Sequence, residues 1–134
     1  MGAIQRILAN DVACRQTALD FSRAPRDRLF FADIEPDVLP GTPDADAKIR
    51  RTIVHLHDRI LGLHETPDSP DVESTYRLFA DIVSDAASHK GIDTVENYSC
   101  RQHLLRPVPD PKYTVRAWRA VVTYLLRRPE FLYE

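Results

Sequence analysis

Apolar residues recur along this chain at alternating spacings of four and three, the repeat of one helix face. One stripe runs Ile49, Ile53, Leu56, Ile60 and Leu63. A second runs Val72, Tyr76, Phe79, Val83 and Ala86, widened by Ala80 and Ala87. A third runs Val115, Trp118, Val122 and Leu125, with Val121 and Leu126 beside it. Each stripe follows the same opening: Thr42-Pro43-Asp44, Ser69-Pro70-Asp71 and Asp110-Pro111-Lys112. A side chain that accepts from orphan N–H groups stands at the N-cap, and proline follows where no N–H is needed. Gly62 with Pro67, Gly91 after His89-Lys90, and Pro129 after Arg127-Arg128 mark the ends. These patterns predict helices over about 43–62, 70–89 and 111–127.

A fourth helix is predicted over about 3–22, where Ile4, Ile7, Leu8, Val12, Ala18, Leu19 and Phe21 make a broad apolar face. Asn10-Asp11 is a point where side chains compete for the backbone and interrupt it. Residues 23–41, with three prolines, read as a loop with room for one helical turn, its Leu29-Phe30-Phe31 cluster plugging one end of the bundle. Asp93 and Glu96 are spaced as a capping box, which predicts a short helix over 93–105. Pro107, Pro109 and Pro111 enforce an extended link after it. No strand alternation is evident. The expected fold is all-α, one domain over 1–134, with four main helices and one or two short ones. Four-three seams are those of antiparallel helices in a bundle. Trp118 is expected to be buried against the stripes at 53–60 and 76–83.

Composition narrows the functional classes. The chain has 134 residues and a net charge of −2, ordinary for a water-soluble domain and not for a general polyanion binder. No apolar run approaches the ~20 residues of a membrane helix, and no export signal opens the chain. Charge is uneven: residues 33–100 hold fourteen acids and six bases, residues 101–134 seven bases and three acids. Either the ends pair with an acidic middle, or a basic face meets an acidic partner. Lys112, Arg116, Arg119 and Arg127 line one flank of the last helix, a solvated or internally paired face, or a partner-binding one. The acidic middle argues against nucleic acid.

No nucleotide loop, nucleophile motif or zinc-ligand set is present, so no catalytic residue and no cofactor is implied. His55 and His57 point to opposite sides of a helix and cannot share an ion. His57 and His64 are two turns apart, whereas Cys100 and His103 could be joint ligands on a helix. Two ligands do not make a closed tetrahedral site.

The closing run, Asp110-Pro111-Lys112-Tyr113-Thr114-Val115-Arg116-Ala117-Trp118 through Tyr124-Leu125-Leu126 to Pro129-Glu130-Phe131-Leu132-Tyr133-Glu134, resembles the helical end modules of large bacterial proteins of myxobacteria and planctomycetes. Leu61-Gly62 and Pro67-Asp68-Ser69-Pro70 are similar in layout. Many such proteins are exported and carry a c-type cytochrome module. The resemblance implies an α-helical, periplasmic or extracellular module near redox chemistry carried elsewhere, and it supplies no catalytic residue. The haem run Cys-x-x-Cys-His is absent from this chain.

Cys14 and Cys100 are then candidates for a disulfide; in a reducing compartment they would be small buried hydrophobes. The function expected is a non-enzymatic module docking to a larger protein assembly or to its own copies, with Arg116, Arg119, Phe131 and Tyr133 as candidate contact residues. The alternative is a metal- or haem-dependent redox component using Cys100 and His103, with His57 or His64. The apolar tail Phe131, Leu132 and Tyr133 is expected either to fold back over Leu29-Phe30-Phe31 or to dock on a partner.

Overall fold

A computed structural model describes residues 3–89, 91, 95–96 and 108–132, with side chains over 8–89, 91 and 109–130. The fold is all-α with a four-helix arrangement: α1 Ala3–Ser22, α2 Pro43–Leu56, α3 Pro70–Ala87 and α4 Thr114–Leu126. Shorter pieces are a 3-10 turn at Pro25–Asp27, a π turn at His57–Leu61 that continues α2, and α5, Pro129–Leu132. Val95–Glu96 (β1) pairs antiparallel with Val108–Pro109 (β2), so Glu96 is extended where a capping box had predicted helix. The rest of the expected 93–105 helix lies outside the described residues.

Two of the three predicted caps form as written. The Thr42 hydroxyl accepts from the Ala45 N–H at 3.3 Å and the Ser69 hydroxyl from the Val72 N–H at 3.3 Å. The third acts from farther back. Asp110-Pro111-Lys112-Tyr113 makes a turn closed by the Tyr113 N–H on the Asp110 carbonyl, and Tyr113 takes a left-handed φ of 66°. The helix therefore starts at Thr114 and not at 111. The Asp110 carboxylate folds back to accept from the Val115 and Arg116 N–H groups at 2.9 and 3.1 Å. It caps the helix without being its N-cap.

The expected stripes meet in one core. Ile49, Ile53, Leu56 and Ile60 face Val72, Phe79 and Val83, and α4 contributes Val115, Trp118, Val121, Val122 and Leu125. Trp118 is fully buried, its ring 4.2 Å from Phe79 and 5.4 Å from Phe31, centroid to centroid. The face α1 turns inward differs in part from the expected one: Ala18 and Phe21 face the core as expected, and the side chains of Ile4 and Ile7 lie outside the described residues. Ala9, Ala13, Cys14, Thr17, Ala18 and Phe21 are buried, whereas Leu8 is exposed and Val12 is only partly covered. Small side chains let α1 lie close to α4, and that outweighs the larger but less regular apolar set. Asn10-Asp11 does not interrupt the helix, because Asp11 points outward and pairs with Arg15 one turn on.

Residues 23–41 form a loop that does plug the bundle, held by two side chains. Buried Asp20 accepts from the N–H groups of Leu29, Phe30 and Phe31 at 2.8, 3.1 and 2.9 Å. Arg28 donates to the carbonyls of Arg23 and Ile34 and to Glu35. Phe31 is thereby stacked on Phe21 at 4.4 Å, while Leu29 stays exposed. The Thr114 hydroxyl donates to the Pro36 carbonyl, tying the loop to the start of α4.

Between α2 and α3, Tyr76 donates to Asp46 at 2.7 Å and lies under the Arg50 guanidinium. Burial, and then the Asp46 hydrogen bond, push the Tyr76 phenol up to about 12. A raised acid favours the neutral form in the folded state. Its contribution is complete below the unfolded value of 10 and is lost as pH rises toward about 12. Wild type should therefore lose its stability advantage over Tyr76→Phe across that window, as read by urea melts at stepped alkaline pH.

Candidate functional site

Two features stand out: a polar network at the α2–α3 junction, and a pair of clefts along the far half of α3. The network begins with a change of helical pitch. After Leu56 the chain takes one π turn, capped by Gly62 at φ 70°, whose N–H reaches the Asp58 carbonyl. Such turns widen a helix by one residue and often mark functional positions. The first and last residues of this turn, His57 and Leu61, are both fully buried.

His57 Nδ1 lies 2.5 Å from Glu65 Oε1 and 3.7 Å from Asp71 Oδ2, and Nε2 lies 2.9 Å from the Thr75 hydroxyl. A carboxylate only accepts, so Nδ1 carries the hydrogen toward Glu65. Ser69 donates to the other Glu65 oxygen at 3.3 Å. Arg128, from beyond α4, donates to both Asp71 oxygens at 2.8 and 2.9 Å and pairs with Glu130. Burial opposes the Arg128 charge, but the bonds to Glu130 and Asp71 outweigh it and hold the guanidinium above its ordinary pKa. Arg128 in turn holds Glu130 below the usual glutamate range.

One nitrogen and two carboxylates this close together invite a metal reading. Zinc would hold tetrahedral donors about 3.3 Å apart at ordinary bond lengths. The Nδ1–Oε1 distance of 2.5 Å is too short for that, and both Asp71 oxygens are already committed to Arg128. The geometry is that of direct hydrogen bonds with a guanidinium as the cation. The network is a clasp: it fastens Arg128, and with it the start of α5, to the α2–α3 junction.

Removing the cation should be costly. Arg128→Met leaves Asp71 and Glu130 facing each other without it, and roughly 1.5–3 kcal/mol should be lost, as for other hydrogen bonds to charged groups. Equilibrium urea unfolding measures this. Glu130, with its lowered pKa, contributes above the ordinary glutamate value of 4.5 and loses that contribution as pH falls.

The second feature follows the outer side of α3. Leu78, Ile82 and Ala86 repeat every four residues and form a shallow cleft of about 530 Å³ with Tyr113, rimmed by Asp81 and Asp85. A cleft of about 560 Å³ adjoins it, lined by Leu39, Pro40, Val83, Ala87, Pro111 and Lys112, and the two share Ala86, His89 and Tyr113. Tyr113 owes its place to the left-handed turn, and the Arg116 guanidinium lies 4.1 Å from its ring centroid.

Of the predicted site residues, Cys14, Arg116 and Arg119 have described side chains. Arg116 is buried and paired with Asp110 at 2.8 Å, so it is closed to a partner in this fold. Arg119 is half-buried on α4. Cys14 is buried on α1, but the Cys14–Cys100 pairing falls on Cys100, outside the described residues. His103 and the side chains of Phe131 and Tyr133 also lie outside them. His64 is exposed beside Asp58, and His55, also at the surface, donates from Nε2 to the Leu29 carbonyl at 2.8 Å. Among the described residues, no helix is long and apolar enough to cross a membrane. No family model, curated protein or solved structure matches the chain.

Proposed function

We propose that this chain is a non-enzymatic α-helical module that docks on a larger protein assembly. The observation that carries the reading is the continuous pair of clefts around the outer half of α3, apolar at the floor and polar at the rim, as partner-binding grooves are. The acid–base groups of the His57 clasp support it from the other side. They are spent on one another, and the imidazole is fully buried away from any substrate. Affinity capture from the native source tests the reading with three baits: wild type, Leu39→Glu and Ile82→Glu. A partner held by wild type and lost with either cleft variant supports it; a partner held equally by all three refutes it.

The resemblance of the closing run extends the proposal to an exported, redox-associated setting. There, Cys14 and Cys100 would close a loop of roughly 85 residues, worth about 4 kcal/mol in the chain-entropy model. Thiol counting under denaturing, non-reducing conditions should then find no free thiol in protein made in an oxidising compartment. Two free thiols would remove this part of the proposal.

A further inference from the structure

We infer that the Leu78–Ile82–Ala86 cleft takes a basic amphipathic helix, its apolar stripe on the cleft floor and its lysines or arginines on Asp81 and Asp85. This rests on the docking reading above and names the chemistry of the partner. The cleft suits that occupant in shape. Residues 78–89 span about three helical turns, roughly 16 Å at 1.5 Å per residue, and present anchor points every fourth residue. Helix-in-groove recognition uses such spacing on both partners.

Charge selects the sign. Along α3, Asp71 is taken by Arg128, and Glu73 by Arg50 and Arg77. Asp81 and Asp85 have no lysine or arginine partner among the described residues; Asp85 meets only His89, at 3.9 Å. Lys112 lines the other cleft, with Leu39, and not the one that Asp81 and Asp85 rim. Two carboxylates with no lysine or arginine partner among the described residues, beside an apolar floor, favour a cationic flank and disfavour an anionic one.

The test uses the full chain and two synthetic 16-residue helical peptides. Each carries leucines at four-three spacing, flanked by lysines in one and by glutamates in the other. Fluorescence anisotropy should show the lysine peptide binding at least tenfold more tightly than the glutamate peptide. Ile82→Glu should abolish that binding. Asp81→Lys/Asp85→Lys, both at exposed positions, should weaken the lysine peptide at least tenfold and reverse the preference, while leaving the thermal melt within a few degrees of wild type. Reversal of preference is a readout that loss of structure would not produce. Equal binding of both peptides, binding of neither, or indifference to the charge swap overturns the inference. The docking reading fails separately, if captured partners ignore Leu39→Glu and Ile82→Glu. It survives if they are lost with those variants but ignore the charge swap.

Discussion

Trp118→Ala is expected to cost roughly 3–5 kcal/mol, the range for truncating a large core aromatic, and to lower the melting temperature by about 10–20 °C. The residue is fully buried where three elements meet: Phe79 from α3, Phe31 from the loop after α1, and the rest of α4. Removing the indole leaves a cavity between rings that are held from elsewhere. Phe31 is pinned by Asp20 through its backbone, so it cannot simply follow the void. Trp118→Phe should lose far less. The indole Nε1 is buried without a hydrogen-bond partner among the described residues, and phenylalanine removes that unmet donor while keeping most of the ring. Differential scanning calorimetry of the two variants separates the terms. If Trp118→Ala melts within a few degrees of wild type, the indole does not hold the junction of α3, α4 and the 23–41 loop.

The fold was legible where stripe and cap agreed. Thr42 and Ser69 each announced a helix whose apolar seam then faced the core, and Gly62 stopped one of them as expected. Legibility failed where a residue's role depends on a distant partner. His57 stands one position beside the α2 seam, but its burial and its partners depend on α3 and the Glu65 loop packing over it, which no local pattern encodes. Its partners Glu65, Asp71 and Arg128 read locally as a loop acid, a first-turn acid and a helix-end base. What joins them is tertiary geometry. The same holds for α1, whose inward face is mostly small residues, Ala9, Ala13, Cys14, Thr17 and Ala18, that a hydrophobicity count undervalues, since close approach and not side-chain size decides the fit there. The α3 cleft shows the reverse case. Leu78, Ile82 and Ala86 are apolar in the sequence, but which side of α3 the described residues leave uncovered depends on where α2, α4 and the Leu39-Pro40 segment lie.

Asp110→Ala should destabilise the protein by roughly 3–5 kcal/mol, the cost of removing one member of a buried ion pair. The Asp110 carboxylate and the Arg116 guanidinium are both buried, joined at 2.8 Å, and Arg116 also reaches the Asp110 carbonyl at 3.1 Å. The same carboxylate satisfies two N–H groups at the start of α4, so one substitution removes an ion pair and a helix cap together. The double variant Asp110→Ala/Arg116→Met distinguishes these losses. If the broken ion pair dominates, urea unfolding should return more than half of the lost stability in the double variant; if the cap dominates, it should return little. The ion pair also bears on the proposed docking face. Asp110 closes the turn that places Tyr113 at positive φ, and Arg116 lies over the Tyr113 ring, so together they hold the wall shared by both clefts. A double variant that regains stability yet binds the lysine peptide more weakly than wild type would show that the buried pair shapes the groove as well as supporting the helix. Unchanged binding at restored stability would limit its role to the fold.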